Sequence, residues 1–321
     1  MKAIILHEHG GPEVLKLEER PTPQPGPGHA LLQIAATGVN FIEIYQREGR
    51  YKLSLPCGIG GEGAGTVVAV GPGVTEVKVG DRVAWLDGAG SYATHTVIPA
   101  AKLAPVPAGV TLEQAAAAMV QGLTADAFTS RTYAVKPGDR VLVHAAAGGA
   151  GRMFCQIAAM RGATVIGTVS SEVKARVAHE AGAVETIIYT KLDFEAEVMR
   201  ITGGQGVNVV FDSVGKDTFD KSLACLAPLG HLVLFGQSSG FVPPFDLLRL
   251  SRGSLSVTRP RVFDYVATRE DLLRHAAQVL GWIAEGKLRL HIDRKYSLEQ
   301  AAEAHIALAG RQTTGKLLLI P

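Results

Sequence analysis

Three glycines, Gly148, Gly149 and Gly151, stand between an apolar run and a stretch of helical character. The whole segment is Arg140-Val-Leu-Val-His-Ala-Ala-Ala-Gly-Gly-Ala-Gly-Arg-Met-Phe-Cys-Gln-Ile-Ala-Ala-Met160. Val141 to Ala145 reads as a short strand, the glycines as a tight turn, and Arg152 to Met160 as a helix that starts inside the turn. Such a turn suits a diphosphate: glycines let the backbone approach, and free N–H groups and the helix dipole point at the negative charge. The spacing departs from G-x-G-x-x-G, because Ala146 stands where the first glycine would be. Thr164 to Val169 reads as a second strand, so the glycines sit in the βαβ context a dinucleotide requires. The other reading is a glycine turn that only packs a helix on a sheet.

The end of that second strand speaks to the cofactor's ribose. An NAD enzyme usually places Asp or Glu there for the 2′-OH. Here the chain runs Ser170-Ser171-Glu172-Val173-Lys174-Ala175-Arg176. Hydroxyls and a cation suit a 2′-phosphate, whereas a carboxylate would repel it. NADPH is therefore expected over NADH. Glu172 is the competing residue, but an acid at a helix start also favours the dipole. Lys174 reads equally as a solvated helix residue.

These residues need elements to hold them. A chain of 321 residues is long for one compact domain, and two is the natural expectation. Hydrophobic residues at 47% with 19% charged can fill two cores. A net charge of +2 gives no basic field, so nucleic acid is not expected as a partner. Cys57, Cys155 and Cys225 lie far apart, without metal-ligand spacing or a disulfide framework. No apolar run reaches the roughly 18 residues of a spanning helix, and the first residues do not read as a signal peptide. Membrane insertion is not expected and a cytoplasmic location is.

Residues 1 to about 110 are strand-like and turn-rich. Ala3–Leu6, Ala30–Ala36, Gly65–Val70 and Arg82–Trp85 read as strands between Gly/Pro turns, which suggests a small β-barrel or coiled sheet. Thr111 with Gln114 is a capping-box pair opening an alanine-rich helical region to about Ser130. From 140 to about 258, strands and helices alternate, with strands at Val207–Asp212, Leu232–Phe235 and Ser254–Thr258. That pattern gives a doubly wound parallel sheet. Near the C-terminus, Thr268 caps a helix ended at Gly286, Ser297 with Gln300 caps another ending near Gly310, and Lys316–Ile320 reads as a strand.

His144 to Gly151, Asp212-Ser-Val-Gly215, Phe235-Gly-Gln-Ser-Ser239 and Ser254-Leu-Ser-Val-Thr-Arg-Pro260 resemble the NADPH:quinone oxidoreductases. These are zeta-crystallin-like members of the zinc-free medium-chain dehydrogenase/reductases. Gly38-Val-Asn-Phe41 and Gly61-Glu-Gly-Ala-Gly65 match too, so the resemblance covers nearly the whole chain. It implies an α/β protein with a GroES-like β-barrel domain, residues 1–121 with 261–321, and a Rossmann doubly wound parallel-sheet domain, 122–260. It implies NADPH in an interdomain cleft and transfer of electrons or hydride to a quinone. It also implies a homodimer joined near Ser254–Thr258. Zinc-dependent relatives place a Cys near Asn40, a His at about Gly61 and a Cys or Asp near Gln121. All three ligands are absent here, as are cysteines between 85 and 100, so no metal is expected.

The same resemblance carries roles onto residues. Asn40 and Tyr45 would border the nicotinamide, and Thr124 its ribose or phosphates. Ala146, Gly148, Gly149 and Ala150 would lie along the diphosphate. Ser170, Ser171, Lys174, Tyr189 and Arg311 would surround the adenosine ribose and 2′-phosphate. Val214, Phe235, Gly236, Gln237 and Ser238 would follow the cofactor, with Thr258 and Arg261 near the carboxamide. Tyr45, Tyr51 and Asn40 are the candidates for the chemistry, since a Tyr hydroxyl can bond an acceptor carbonyl as it gains charge. Each tyrosine reads equally as a packing residue, Tyr189 as a strand aromatic, Arg311 as an exposed residue after a helix, and Asn40 as a turn asparagine. No Ser/His/Asp set or paired-carboxylate site stands out. Two further functions fit the scaffold: reduction of α,β-unsaturated carbonyls (an alkenal or enone reductase), and NADPH binding without turnover in an RNA-binding or lens-type protein.

Overall fold

The structure, a computed structural model, describes residues 1–88 and 90–321. The chain divides into two compact units, Met1–Leu123 with Val266–Pro321, and Thr124–Tyr265.

The first unit opens with β1 (Lys2–Leu6), β2 (Lys16–Glu19), β3 (His29–Val39), α1 (Phe41–Arg47), β4 (Cys57–Gly58) and β5 (Glu62–Val70). It continues through β6 (Arg82–Leu86), β7 (His95–Pro99), β8 (Ala104–Pro105) and α2 (Leu112–Ala127). Each strand expected from the sequence lies within one of these. β2 and β7 were not legible: β2 is a charged edge segment, and β7 has only two fully buried positions. The Thr111–Gln114 capping box forms, each side chain accepting from the other's backbone N–H at 3.1 and 2.9 Å. Ala115–Ala118 are all fully buried, as a close-packed alanine face requires.

The second unit is a six-stranded parallel sheet. In chain order it holds β9 (Arg140–Val143), α3 (Gly149–Met160), β10 (Thr164–Val169), α4 (Glu172–Glu180), β11 (Glu185–Ile188) and α5 (Phe194–Ile201). There follow β12 (Val207–Asp212), α6 (Phe219–Ala224), β13 (Leu226–Leu234), β14 (Ser256–Thr258) and α7 (Val262–Tyr265). The strand order is β11-β10-β9-β12-β13-β14. The order reverses between β9 and β12, where open α/β sheets place their ligand.

Four boundaries differ from the sequence reading. β9 stops at Val143, because Ala145 takes a left-handed φ of 51° to begin the turn. α3 starts at Gly149 instead of Arg152, since the glycines of the turn are already its first residues. β14 starts at Ser256, because Ser254 also has positive φ. β13 begins at Leu226, before the expected Leu232. Its register with β12 shifts across Pro228-Leu229-Gly230, a bulge that hid the first half.

The chain then returns to the first unit with α8 (Arg269–Ala284), β15 (Ile292–Ser297), α9 (Ala301–Ala309) and β16 (Lys316–Ile320). Thr268 and Ser297 cap as expected. β16 pairs antiparallel with β3, so the last strand completes the sheet the third one began. Among the described residues no helix is long and apolar enough to cross a membrane.

Aromatic rings anchor α3 to the second sheet. Phe154 stacks on Phe211 at 4.6 Å between centroids and lies 4.8 Å from Phe235. Phe154 and Phe211 are fully buried. Phe154→Ala should therefore cost about 3–5 kcal/mol of stability. Urea unfolding checks this, and a loss below about 1 kcal/mol would show that the stack can collapse around the missing ring.

Candidate functional site

The glycine turn has the geometry a diphosphate needs. Gly148 is the N-cap of α3 in an extended conformation, with no side chain capping the helix. The turn is closed from within, Gly148 N–H donating to the Ala145 carbonyl at 2.9 Å. The N–H groups of Gly149, Ala150 and Gly151 precede the first helical bond, from Arg152 N–H to Gly148 O, and are the donors that a helix start offers an anion. Gly151 must be glycine, since a Cβ there would overlap the Ala145 carbonyl and come within 2.8 Å of Ala146 Cα. Ala146 is buried, and its N–H donates to Thr168 O.

A buried polar chain lies beneath this turn. His144 bonds Thr168 Oγ1 and Ser222 Oγ, each at 2.9 Å. Ser222 donates to Asp212 at 3.3 Å. Asp212 also accepts from Thr218 Oγ1 at 2.7 Å and from the N–H groups of Val214 and Gly215 at 2.7 and 3.1 Å. Burial lowers the His144 pKa against the opposing pull of Asp212, so the ring stays neutral. The chain of bonds ties the ends of β9, β10 and β12 together. Next to it, Gly236 N–H donates to Asp212 O, and Ser239 Oγ to Val214 O, so the turns after β12 and β13 are zipped. Gln237 is buried and accepts from Arg259. Phe235 turns its ring into the aromatic core, and its N–H donates to Asp212 O at 2.9 Å. Thr258 Oγ1 is engaged with His231 at 2.6 Å, and Arg261 pairs with Asp264 at 2.8 Å.

At the end of β10, Ser170 and Tyr189 follow the paired residues Val169 and Ile188, so they are neighbours just beyond the ends of adjacent strands. Ser171 caps α4 by accepting from the Lys174 N–H. Glu172, the competing ribose ligand, pairs instead with Lys191 at 2.9 Å on the surface. Ser170, Ser171, Lys174 and Tyr189 thus gather at one strand end. Thr124 lies buried on α2 in the same unit, whereas Arg311, with a φ of 55° after α9, belongs to the first unit.

The first unit holds a constellation the sequence reading missed. Lys316 and Glu62, 1% and 0% exposed, form a buried ion pair. Lys316 Nζ also donates to Asn40 Oδ1 at 2.6 Å, and Asn40 Nδ2 donates to the same Glu62 oxygen at 2.7 Å. The other Glu62 oxygen accepts from Val120 N–H at 2.6 Å. Glu43, also 0% exposed, accepts from Asn40 N–H at 2.7 Å and Gly61 N–H at 3.2 Å. The Asn40 amide is thus bonded on both sides within this cluster. Gly38 makes room for it, because a Cβ there would overlap Glu62 Oε1. Asn40-x-x-Glu43 is a capping-box spacing that was visible in the sequence. Lys316 gave no signal, since a charge heading an apolar strand reads as an exposed end. Tyr45 is 5% exposed on α1, its ring edge-on to Tyr51 at 5.6 Å, while Tyr51 is 36% exposed.

Desolvation raises the Glu43 pKa from 4.5 to about 7, with Lys316 opposing and Glu62 reinforcing. The folded state therefore holds this proton at pH values where the unfolded chain has lost it. Stability from this group is full below about 4.5, falls as pH rises, and is lost above about 7, a change of at most about 3 kcal/mol. In Glu43→Gln that fall disappears. The unfolding free energy of the variant relative to wild type should rise between pH 5 and 8, and parallel curves would place the Glu43 pKa near its ordinary value.

The comparisons with known proteins agree with this geometry. The alcohol dehydrogenase GroES-like domain matches residues 26–108, and a model described as zinc-binding dehydrogenase matches 181–319. The quinone oxidoreductase of Pseudomonas aeruginosa is 46% identical, over 100% of this chain and 99% of that one. The 2-haloacrylate reductase of a Burkholderia species is 41% identical, over 99% of this chain and 98% of its own. The structure of Escherichia coli quinone oxidoreductase complexed with NADPH superposes with a TM-score of 0.98 at 43% identity, covering 100% of both chains.

Proposed function

The chain belongs to the quinone oxidoreductases of the medium-chain dehydrogenase/reductase superfamily, and we propose that it reduces quinones with NADPH without a metal. The observation that carries the reading is the glycine turn at the sheet's switch point joined to a strand end bearing Ser170 and Lys174 but no free acid. These residues fit NADPH. Gly148, Gly149 and Ala150 hold the diphosphate; Ser170, Ser171, Lys174, Tyr189 and Arg311 hold the adenosine ribose and its 2′-phosphate. Val214 and the turn from Phe235 to Ser238 line the cofactor, with Thr124, Thr258 and Arg261 toward the nicotinamide end. When bound, NADPH supplies the reducing equivalents, and the protein positions and desolvates the reactants.

Zinc does not fit. Lys316 already supplies the cation at Asn40 and Glu62, and a divalent ion would meet its ammonium. Among the described residues no three His, Cys, Asp or Glu gather to hold a metal. The description of the matching family model therefore does not extend to this chain's residues.

Tyr45 and Tyr51 are the hydroxyls assigned to the acceptor, and Asn40 borders the nicotinamide. A cytoplasmic homodimer completes the reading. β14 is an edge strand, and Leu229, Leu247 and Leu248 beside it are at least 70% exposed, an apolar surface that a second copy would cover. The identity to the 2-haloacrylate reductase favours testing a second acceptor class, activated carbon–carbon double bonds.

Three outcomes are expected. NADPH should bind more tightly than NADH, and Lys174→Ala should weaken NADPH about ten- to a hundredfold while sparing NADH; equal affinities in the wild type would exclude 2′-phosphate recognition. NADPH consumption across quinones and enones should be fastest with quinones. Tyr45→Phe should lower turnover with enones more than with quinones, by up to about 10²-fold, with NADPH affinity kept. Wild-type rates with both acceptors would show that Tyr45 only packs.

A further inference from the structure

Glu43 is wholly buried, and nothing in the proposed chemistry uses it. A glutamate at this capping-box position ordinarily bonds the N-cap N–H and leaves the rest of its carboxyl to solvent. Here the second oxygen accepts from Gly61, a segment eighteen positions away. One carboxyl group thus brackets the start of α1 and the approach to β5. The groups facing it are Lys316 from β16, Glu62 from β5 and Tyr92 from the segment before β7, and Tyr92 in turn faces Arg47 of α1. His305 on α9 closes the shell by bonding both Tyr92 and Arg47.

The two forms of this group do different things. Ionised, it accepts from both N–H groups through charge-assisted bonds. Protonated, one oxygen becomes a hydroxyl whose acceptor capacity is reduced while both facing groups are donors. We infer that Glu43 is a positioning residue: its ionised carboxylate brackets the Asn40 and Gly61 backbones and so fixes the first turns of α1, which carry Tyr45. The inference rests on the reading that Tyr45 serves the acceptor. It sets stability and activity against each other, since the ionisation that costs folding free energy is the one that tightens the bracket. Burial and Glu62 hold the transition near neutrality.

The test is kcat/KM for a benzoquinone at saturating NADPH from about pH 6 to 8.5, in wild type and Glu43→Gln. The 15N amide shifts of Asn40 and Gly61 are followed over the same range. The wild type should gain about tenfold as pH rises through neutrality, with NADPH affinity unchanged. Glu43→Gln, whose amide can accept from only one side, should be slow and flat. A wild-type rise retained in Glu43→Gln overturns the inference. If no quinone is reduced at any pH, the activity reading fails and the amide shifts decide. Joint movement of both signals with a midpoint near neutrality supports the bracket, and two signals that do not move overturn it.

Discussion

The buried pair of Lys316 and Glu62 is the constraint on which the first unit depends. Moving two charges out of water costs several kcal/mol each, and attraction offsets this only when every remaining donor and acceptor is satisfied. Here Asn40 bonds both members, and Val120 N–H takes the remaining Glu62 oxygen. The pair thereby joins four places in the chain: the end of β3, the start of β5, the middle of α2 and the start of β16. Removing one member would leave the other charged and buried, typically a loss of about 3–5 kcal/mol. The position of Asn40, and with it the entry into α1, follows from this requirement.

The second unit solves a related problem with neutral groups and one carboxylate. Asp212 is buried at the end of β12, with its oxygens accepting from two backbone N–H groups and two hydroxyls. Its charge is distributed over local donors, so no cation is needed beside it. His144 extends the same network to Thr168, two residues before Ser170. The segments expected along the diphosphate and the ribose are therefore held by one continuous set of bonds. The site's own donors, the N–H groups at the start of α3, remain uncommitted by side chains. Rigid support with unspent donors is what an anion site on a helix N-terminus requires.

The two clusters also explain why the scaffold tolerates acids in its interior. Each buried carboxylate is placed against backbone N–H groups that would themselves be costly to leave unpaired. Glu43 is the exception in degree: two N–H bonds and a more distant ammonium do not offset its burial and the neighbouring Glu62. It is consequently the group in this cluster whose protonation responds to pH near neutrality.

Much of this protein was decided by local sequence. The glycine turn, the capping boxes at Thr111 and Ser297, the cap at Thr268 and the alternation of strands and helices from 140 to 258 are short-range signals. Each depends on residues within one turn or one strand, so each is legible in sequence and formed as read. The hydroxyls of Ser170 and Ser171 were legible too, but Glu172 remained a competing ribose residue in the sequence, and only the structure pairs it with Lys191. Tertiary structure decided the rest. Asn40, Glu43, Glu62 and Lys316 span 276 positions between Asn40 and Lys316, and only the pairing of β16 with β3 brings the lysine to the asparagine. Likewise the pairing of β12 with β9 sets Asp212 beside His144, and Ser222 of a third segment links their side chains. Periodicity marks such residues as ends of strands. Whether an end lies in water or beneath a neighbouring strand is set by long-range pairing, which no local pattern encodes.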